Sequence, residues 1–343
     1  IVEKYSTCHH EMHTTGKNYF SNLERIISFK DAPLSIPNEV TQYEMCLKLK
    51  KDVSVILSGS GADELFLGYG RIFRSVWDFK RYKSLGGYGN EIDRALFLGN
   101  YDDKYGERKH HNEIDHFMDI YSYTSDRVKQ SLLNHQYPHA ETTKNIRKKF
   151  REYFDKITTN KYLDKMSYMF LKVHQPGILQ HNDITSMAAS VELRVPFLDH
   201  RLVEYAMTIP EKYKLKWKSS QHKSESMNMM SHIISEDYDI PKYILKKSYE
   251  SEIPKEILYR QKVGFPVPLH LWLGDNFRKN ATELLLDTKA RNRGIYNDKY
   301  IAQWLRSNNL IEHQGDSRTY QTSMAAKFWM LLNLELFITK YFD

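Results

Sequence analysis

The sequence contains little cysteine and no long apolar run. Its 343 residues include only two cysteines, Cys8 and Cys46. Two are too few for a disulfide scaffold and are typical of a reducing compartment, so we expect a cytoplasmic protein. No stretch reaches the ~18 consecutive apolar residues of a membrane helix, and we expect no membrane partner. The most apolar stretch, Met324 to Ile338, is interrupted by polar residues and is predicted to be a core helix.

The positive charge is not concentrated either. The chain carries 50 basic and 43 acidic residues, which give a formal net charge of +7 and a pI of about 9.0. Such an excess can attract nucleic acid, but here the bases mostly stand beside acids. The densest basic run, Arg147 to Arg151, is predicted to be the solvated face of a helix. Nucleic acid is therefore not an expected partner.

The first residues, IVEKYSTCHHEMH, contain no methionine at the start and no helix or strand start signal. We interpret them as the interior of a longer chain, with Ser6 to Met12 as a weak strand candidate. His9 and His13 have the i, i+4 spacing that suits a metal only on a helix, so no metal site is predicted. Lys109 to His111 with His116 is interpreted as a polar helix face.

A helix, a short strand and a glycine turn follow one another before residue 70. Val53 to Leu57 is a β-branched and aliphatic run bounded by turn residues, which predicts a buried, parallel strand. Glu39 to Lys50, just before it, has apolar residues at helical spacing. The order helix, strand, glycine turn and helix indicates an α/β fold.

The rest of the chain is predicted to be mostly helical. Residues 72–160 are polar and aromatic-rich, and we interpret them as irregular helices around the α/β core. Asp199 precedes a helix with one apolar face, and Pro241 and Pro254 are each expected to start a helix. Lys214 to Ser226 is predicted to be a surface loop.

The stretch VILSGSGADELFLGYGR, Val55 to Arg71, carries the chemistry. A glycine-rich turn after a strand exposes N–H groups that bind phosphate, helped by the following helix N-terminus. No Lys-Ser/Thr follows, which excludes a Walker A loop, and Glu64 stands where G-x-G-x-x-G needs a small residue. Asp63 and Glu64 beside the turn indicate a Mg²⁺-polyphosphate site. The alternative is that they are only acids favoured in a first helical turn.

Three segments are long enough to compare with known families: LSGSGADELFLGYGR (Leu57–Arg71), SMAASVELRVPFLDHRLVEYA (Ser186–Ala206) and KVGFPVPLHLWL (Lys262–Leu273). In that order and at these separations they resemble the synthetase domain of the asparagine synthetase family. The resemblance covers essentially the whole chain, including DAPLSIPNEV (Asp31–Val40) and FWMLLNLELF (Phe328–Phe337).

The resemblance implies a PP-loop core, of the adenine nucleotide alpha-hydrolase type, with a parallel sheet. Residues 1–75 would be the remainder of that core, 76–160 a helical insertion, and 161–343 the helical part that completes the active site. It also implies a reaction in which ATP and aspartate give β-aspartyl-AMP and Mg²⁺-pyrophosphate. Ammonia, released from glutamine by an N-terminal glutaminase domain, then displaces AMP. The full-length protein is expected to be a homodimer.

By position in these motifs, Ser58, Gly59 and Gly61 would bind ATP and Asp63 would bind Mg²⁺. Lys262 matches the lysine that stabilises charge around the adenylate and the tetrahedral intermediate, an electrostatic role that suits a fixed ammonium group.

Two further basic positions are candidates. Arg194 would either face phosphate or pair with Glu192 or Asp199 in a structural role. Lys247, together with Lys246, resembles a basic position that faces the phosphates.

The sequence also departs from the family pattern. The S-G-G-x-D-S motif that binds pyrophosphate is absent and is expected upstream of Ile1, so this chain by itself is expected to be inactive. Ser60 stands at a catalytic position where the family commonly has an acid, and a hydroxyl is no comparable general base. Ala32 replaces another common acid. Three functions stay open: an asparagine synthetase, a related amidotransferase acting on a sugar or peptide carboxylate, and an inactive PP-loop binding module.

Overall fold

The computed structural model describes residues 1–85, 90–106, 110–265, 267–272, 275–306 and 324–343. It is an α/β protein with mostly helical content and a small parallel sheet. Lys109, and Pro266 and Leu273 of the third motif, lie outside the described residues. No helix in these ranges is both long and apolar enough to cross a bilayer.

The helix, strand and turn predicted before residue 70 are confirmed, with shifted bounds. In chain order the elements are α1 (Val2–Tyr5), α2 (Tyr19–Lys30), α3 (Asn38–Leu49), β1 (Val55–Leu57), α4 (Ala62–Leu65) and α5 (Gly70–Lys83). The strand expected at Ser6 to Met12 is wrong. Ser6 ends α1 with φ +48°, and the exposed polar segment that follows pairs with no described strand.

Strand β1 pairs in parallel with β2 (Glu192–Arg194), in a register that sets Val55 opposite Glu192. The parallel pairing was predicted correctly, but the expected burial is wrong. Val55 is 40% exposed and Leu57 is 73% exposed. The reason is that β2 is the one strand partner of β1 in the described ranges, so this small sheet is not covered as a larger parallel sheet would be.

The helices expected over residues 72–160 are present. After α5 come α6 (Glu91–Tyr105), α7 (Glu113–Tyr121), α8 (Asp126–Leu132), α9 (His139–Asp155), α10 (Tyr162–Met169), a π-helical turn (Phe170–His174) and α11 (Gln175–Ala188). The basic run of α9 lies on its solvated side, as predicted, and Arg147 forms an ion pair with Asp115.

The polar face expected at His110 and His116 is wrong, because both imidazoles are buried, at 3% and 0% exposure. Each ring has a hydrogen-bond partner of its own. Nδ1 of His110 lies 2.5 Å from the Tyr101 hydroxyl, and Nδ1 of His116 lies 2.7 Å from that of Tyr162. Nε2 of His116 has no hydrogen-bond partner among the described residues, and both rings pack against aromatic side chains, His116 on Phe79 and His110 on Tyr105.

The C-terminal half continues with helices and one small antiparallel sheet. Its elements are α12 (His200–Thr208), α13 (Glu211–Lys214), β3 (Leu215–Trp217), α14 (Ser220–Glu225), α15 (Ser231–Ile234), β4 (Asp239–Pro241), α16 (Tyr243–Ser248), α17 (Lys255–Leu258), α18 (Leu269–Trp272), α19 (Asp275–Leu285), α20 (Thr288–Arg293), α21 (Asp298–Arg306) and α22 (Met324–Phe342).

Asp199 caps α12 and Pro254 directly precedes α17, as predicted. Two other expectations are wrong. The loop expected at Lys214 to Ser226 contains β3 and α14. Pro241 ends β4 instead of starting a helix, because the end of a short strand tolerates a residue without an N–H.

The largest core cluster joins the two ends of the described chain. Leu23 and Tyr43, on α2 and α3, belong to the same buried cluster as Phe328 and Leu332 on α22. A second cluster, with Phe73 and its neighbours on α5, α7 and α10, packs behind the Ser-Gly turn. The prediction of a C-terminal core helix is confirmed, whereas the division into residues 1–75, 76–160 and 161–343 stays a prediction.

Asn333 provides a test of how α22 is held. Its Oδ1 accepts from Leu34 N at 2.9 Å and its Nδ2 donates to Leu34 O at 2.8 Å, in a buried setting. Asn333→Leu leaves both backbone groups unpaired, so we expect a loss of roughly 2–4 kcal/mol in the free energy of unfolding, measured by urea denaturation. Asn145→Leu, on the exposed face of α9, is the control and should change it by less than ~0.5 kcal/mol. Equal effects would contradict this role.

Candidate functional site

The Ser-Gly turn begins where β1 ends. Ser58 N donates to Arg194 O at 2.8 Å, which extends the parallel pairing by one step. Gly61 has φ +97°, and a Cβ at this position would lie 2.6 Å from side-chain carbons of Leu198. Both the backbone angle and the space therefore require glycine. Because α4 has only four residues, its dipole is small, and the predicted phosphate site would depend on the N–H groups of the turn.

The two serines of the turn contact each other. Their hydroxyl oxygens lie 2.9 Å apart. Asn182 Nδ2 on α11 donates to Ser60 Oγ at 3.0 Å, and Gln42 on α3 donates to Asn182 Oδ1 at 3.0 Å. The position where the family pattern commonly has an acid is thus held in a chain of neutral groups.

Asp63 lies between two lysines that are distant in the sequence. Its Oδ2 accepts from Lys262 Nζ at 2.8 Å, and its Oδ1 forms an ion pair with Lys242 Nζ at 3.0 Å. The contact with Lys242 lies outside hydrogen-bond alignment. The structure therefore brings together the predicted metal ligand, Asp63, and the predicted catalytic lysine, Lys262.

The two lysines determine the ionisation of Asp63. Burial by itself raises the pKa of this carboxyl group, but the ammonium groups of Lys262 and Lys242 outweigh the burial and lower the pKa below its usual value. Asp63 is therefore ionised at neutral pH. The Asp63 carboxylate and the two ammonium groups together carry a net charge of +1, with the carboxyl groups of Glu64 and Glu236 close by.

The residues after α4 hold Asp63 in place. Leu67 has φ +58°, and Gly68 N donates to Asp63 O at 2.7 Å. A Cβ at Gly68 would lie 1.8 Å from Asp63 Oδ1, so glycine is required for the carboxylate to lie where it does. Lys262 Nζ lies 4.6 Å from the centre of the Tyr69 ring, a cation–π contact that fixes the ammonium group from the other side.

Asp63 and Glu64 both lie in the first turn of α4, as the alternative interpretation has it, but Glu64 also has buried side-chain partners. It is 1% exposed, and its Oε1 accepts from the Tyr69 hydroxyl at 2.6 Å. The Gln175 amide, in the orientation that satisfies its neighbours, donates to Glu64 Oε2 at 3.1 Å. Burial, with Asp63 nearby, raises the pKa of Glu64. Its carboxyl group orients Tyr69 beneath Lys262.

The backbone N–H groups of Lys262 and Lys242 each donate a hydrogen bond that holds the lysine near Asp63. Lys262 N donates to Glu236 Oε2 at 2.8 Å. Lys242 follows β4 with φ +55°, and its N–H donates to Phe66 O at 3.2 Å. Sequence reasoning missed Lys242. Its visible signal was a lysine directly after Pro241, but the sequence was interpreted there as the start of a helix.

Lys247 and Arg194 are not brought to Asp63. Lys247 is exposed and pairs with Glu250 at 2.6 Å. Arg194 Nε pairs with Glu192 at 2.8 Å across an exposed strand edge, which is one of the two structural pairings considered for it. The roles of both residues toward phosphate stay predictions. Lys246 is half-buried, and burial lowers its pKa.

The residues present fit Mg²⁺ only together with phosphate. Mg²⁺ keeps several waters and binds through one or two carboxylates plus substrate phosphates. Asp63 offers one such carboxylate, and the adjacent ammonium groups would repel a bare cation but attract a polyphosphate. Among the described residues no group of three or more His, Cys, Asp or Glu side chains could hold a metal by itself.

These features define a class: an α/β protein in which a Ser-Gly turn after a parallel strand presents a carboxylate held between two lysines. The sequence comparison is more specific. The family model described as asparagine synthase matches residues 1–338, and the chain belongs to this family.

Individual relatives are similar over much of the chain. Asparagine synthetase [glutamine-hydrolyzing] 1 of Bacillus subtilis is 28% identical over 324 residues, which cover 93% of this chain and 47% of the relative. Asparagine synthetase [glutamine-hydrolyzing] 3 of the same organism is 26% identical over 92% of this chain and 42% of its own length. Amidase chry2 of Gibberella zeae is 30% identical over 130 residues, or 37% of this chain and 17% of its own. The chain spans about half the length of the two synthetases.

The ion pairs of Asp63 predict how its pKa responds to substitution. In Lys262→Met the larger of the two opposing ammonium effects is removed, so the pKa of Asp63 should rise. The measurement is an NMR titration of the side-chain carboxyl carbon. Because a lowered pKa stabilises the folded state at every pH above the unfolded-state pKa of ~4, the variant should be less stable than the wild type at neutral pH, and the difference should shrink as the pH falls below that value.

Lys247→Met is the matched control, since it removes an ammonium group that pairs with Glu250 instead. It should leave the Asp63 titration unchanged. A shift equal to that of Lys262→Met would show that the lysines act only through the overall charge of the protein.

Proposed function

We propose that this chain is the synthetase part of a glutamine-dependent asparagine synthetase. ATP would activate aspartate as β-aspartyl-AMP, and ammonia from glutamine would displace AMP and form the amide. The observation that carries the proposal is the Asp63 carboxylate held between Lys262 and Lys242 beside a Ser-Gly turn. Membership in the family and the names of the similar synthetases support it.

Each group in the site has a part in this chemistry. The N–H groups of the turn, with Ser58, Gly59 and Gly61, would bind the nucleotide phosphates of a PP-loop core. Asp63 would hold Mg²⁺ against the departing pyrophosphate, and the metal would neutralise phosphate charge. The Lys262 ammonium, fixed by Tyr69, would stabilise the charge that develops at the adenylate.

The proposal also includes the context of the reaction. Free thiols at Cys8 and Cys46 suit a cytoplasmic enzyme. A glutaminase domain would supply ammonia, and the full-length protein would be a homodimer. A small-molecule acceptor is in keeping with the family.

Aspartate-dependent release of pyrophosphate by the protein that contains this chain tests the proposal. Asp63→Asn should lower the rate ~100-fold or more, because an electrostatic group at the reacting charges is lost. Lys247→Met, whose ammonium pairs with Glu250, should lower it less than ~3-fold. Release that does not depend on aspartate, or that is insensitive to Asp63→Asn, would reject this assignment.

A second candidate is an amidotransferase that acts on another carboxylate. Two neutral residues favour it: Ser60, held by Asn182 in an uncharged hydrogen-bond chain, and Ala32. The limited similarity to a fungal protein named as an amidase supports a wider range of acceptors.

Ser60→Glu distinguishes the two candidates. If aspartate is the acceptor, the added carboxylate supplies a general base, and ammonia-dependent asparagine formation should rise on the order of 10-fold or more. Ser60→Gln, with similar size and no charge, is the control. If Ser60→Glu lowers the rate while the wild type releases pyrophosphate with a sugar or peptide carboxylate, the second candidate holds.

A further inference from the structure

A cleft separate from the Ser-Gly turn lies where α10, α12 and α13 meet. Its volume is about 230 Å³. That is below the ~300 Å³ at which pockets for drug-sized molecules begin, so it fits a small metabolite. The segment after α9, with Ile157 and Thr159, forms part of its wall.

Lys214 is the unusual residue of this cleft. It lines the wall at the end of α13 and is only 5% exposed. Burial lowers the pKa of its ammonium group to about 8, and the nearby Asp164 only partly offsets that effect. Within the ranges that the structure describes, Lys214 Nζ has no hydrogen bond and no ion pair. The Lys214 side chain is thus largely enclosed, and its ammonium group is available to a ligand in the cleft.

The other groups that line the cleft indicate which kind of ligand could pair with Lys214. Two carboxylates, Asp164 and Glu211, lie in the same wall as the single ammonium group. The remaining surface is largely apolar and includes Leu163, Met207 and Ile209. The cleft therefore offers one cation, two anions and an aliphatic surface within a small volume.

We propose that this cleft binds a small zwitterionic amino acid with an apolar side chain. The ligand carboxylate pairs with Lys214, its ammonium group pairs with Asp164 or Glu211, and its side chain packs against Leu163 and Met207. Aspartate does not fit, because its second carboxylate would meet the acidic wall. The site is thus distinct from the acceptor site of the proposed reaction.

The cleft has a physical connection to Asp63. Leu67 lines the cleft and has φ +58°, and its neighbour Gly68 packs directly against the Asp63 carboxylate. Ser167, also in the wall, donates to Glu64 O at 3.5 Å. An amino acid in the cleft would therefore touch the segment that positions the Asp63 carboxylate.

Isothermal titration of the purified protein that contains this chain with L-leucine at pH 7 tests the proposal. L-leucine should bind, and three analogues should bind at least ~10-fold more weakly, since each leaves a buried charge unpaired or adds a repulsive one. They are leucine methyl ester, which has no carboxylate, 4-methylpentanoate, which has no ammonium group, and L-aspartate. Absence of leucine binding at millimolar concentrations, or analogues that bind equally well, would overturn the proposal without any variant.

Lys214→Met and Lys212→Met form a matched pair on the same short helix. Lys212 is exposed and does not line the cleft, so its substitution should leave the leucine affinity unchanged. Lys214→Met should abolish leucine binding while the melting temperature stays equal or rises, because an apolar side chain of similar length replaces a largely enclosed lysine. Wild-type leucine affinity in Lys214→Met would refute the assignment. Asp164→Asn and Glu211→Gln test the ammonium side: at least one of them should weaken leucine binding, and neither should weaken binding of 4-methylpentanoate, which has no ammonium group. Full leucine affinity in both variants would contradict the pairing.

Discussion

The contact of Asp63 with Lys262 and Lys242 is the interaction on which the candidate site depends. A half-buried carboxylate costs free energy unless cations compensate it, and here two ammonium groups do so from separate segments. Lys262 lies 199 residues from Asp63 in the sequence, so this compensation joins the turn after β1 to the C-terminal half. Under the proposed function, the two ammonium groups would also meet the phosphates of the nucleotide.

Other buried carboxylates position the same region. Glu64 orients Tyr69, whose ring then lies against Lys262. Glu39, fully buried on α3, pairs with Lys30 and accepts the backbone N–H groups of Ser35 and Ile36. Through Gln42, the same helix reaches the chain of neutral groups that ends at Ser60. Glu39 and Glu64 are therefore internal hydrogen-bond acceptors that fix nearby groups.

Elements whose signals lie within their own segment were predicted correctly, whereas features that depend on contacts between distant segments were not. Helix α3, the cap at Asp199 and the core helix α22 were predicted, because their signals lie within the segments that form them. The predictions for Pro241, for Lys214 to Ser226 and for His110 and His116 were wrong for the opposite reason. Pairing of β3 with β4 and stacking of aromatic rings override local preference, and neither partner is adjacent in the sequence.

The sequence by itself determined the family, the parallel strand before a Ser-Gly turn, and the identity of Asp63 and Lys262 as candidate residues, because each is written in a short contiguous motif. Only the tertiary structure decided that Lys242 is the second cation at Asp63, that Glu64 is buried under Tyr69, that Lys247 turns away to Glu250, and that Lys214 is enclosed without a partner. The physical reason is that ionisation, burial and charge pairing depend on neighbours in space, and in this protein those neighbours come from segments far apart in the chain.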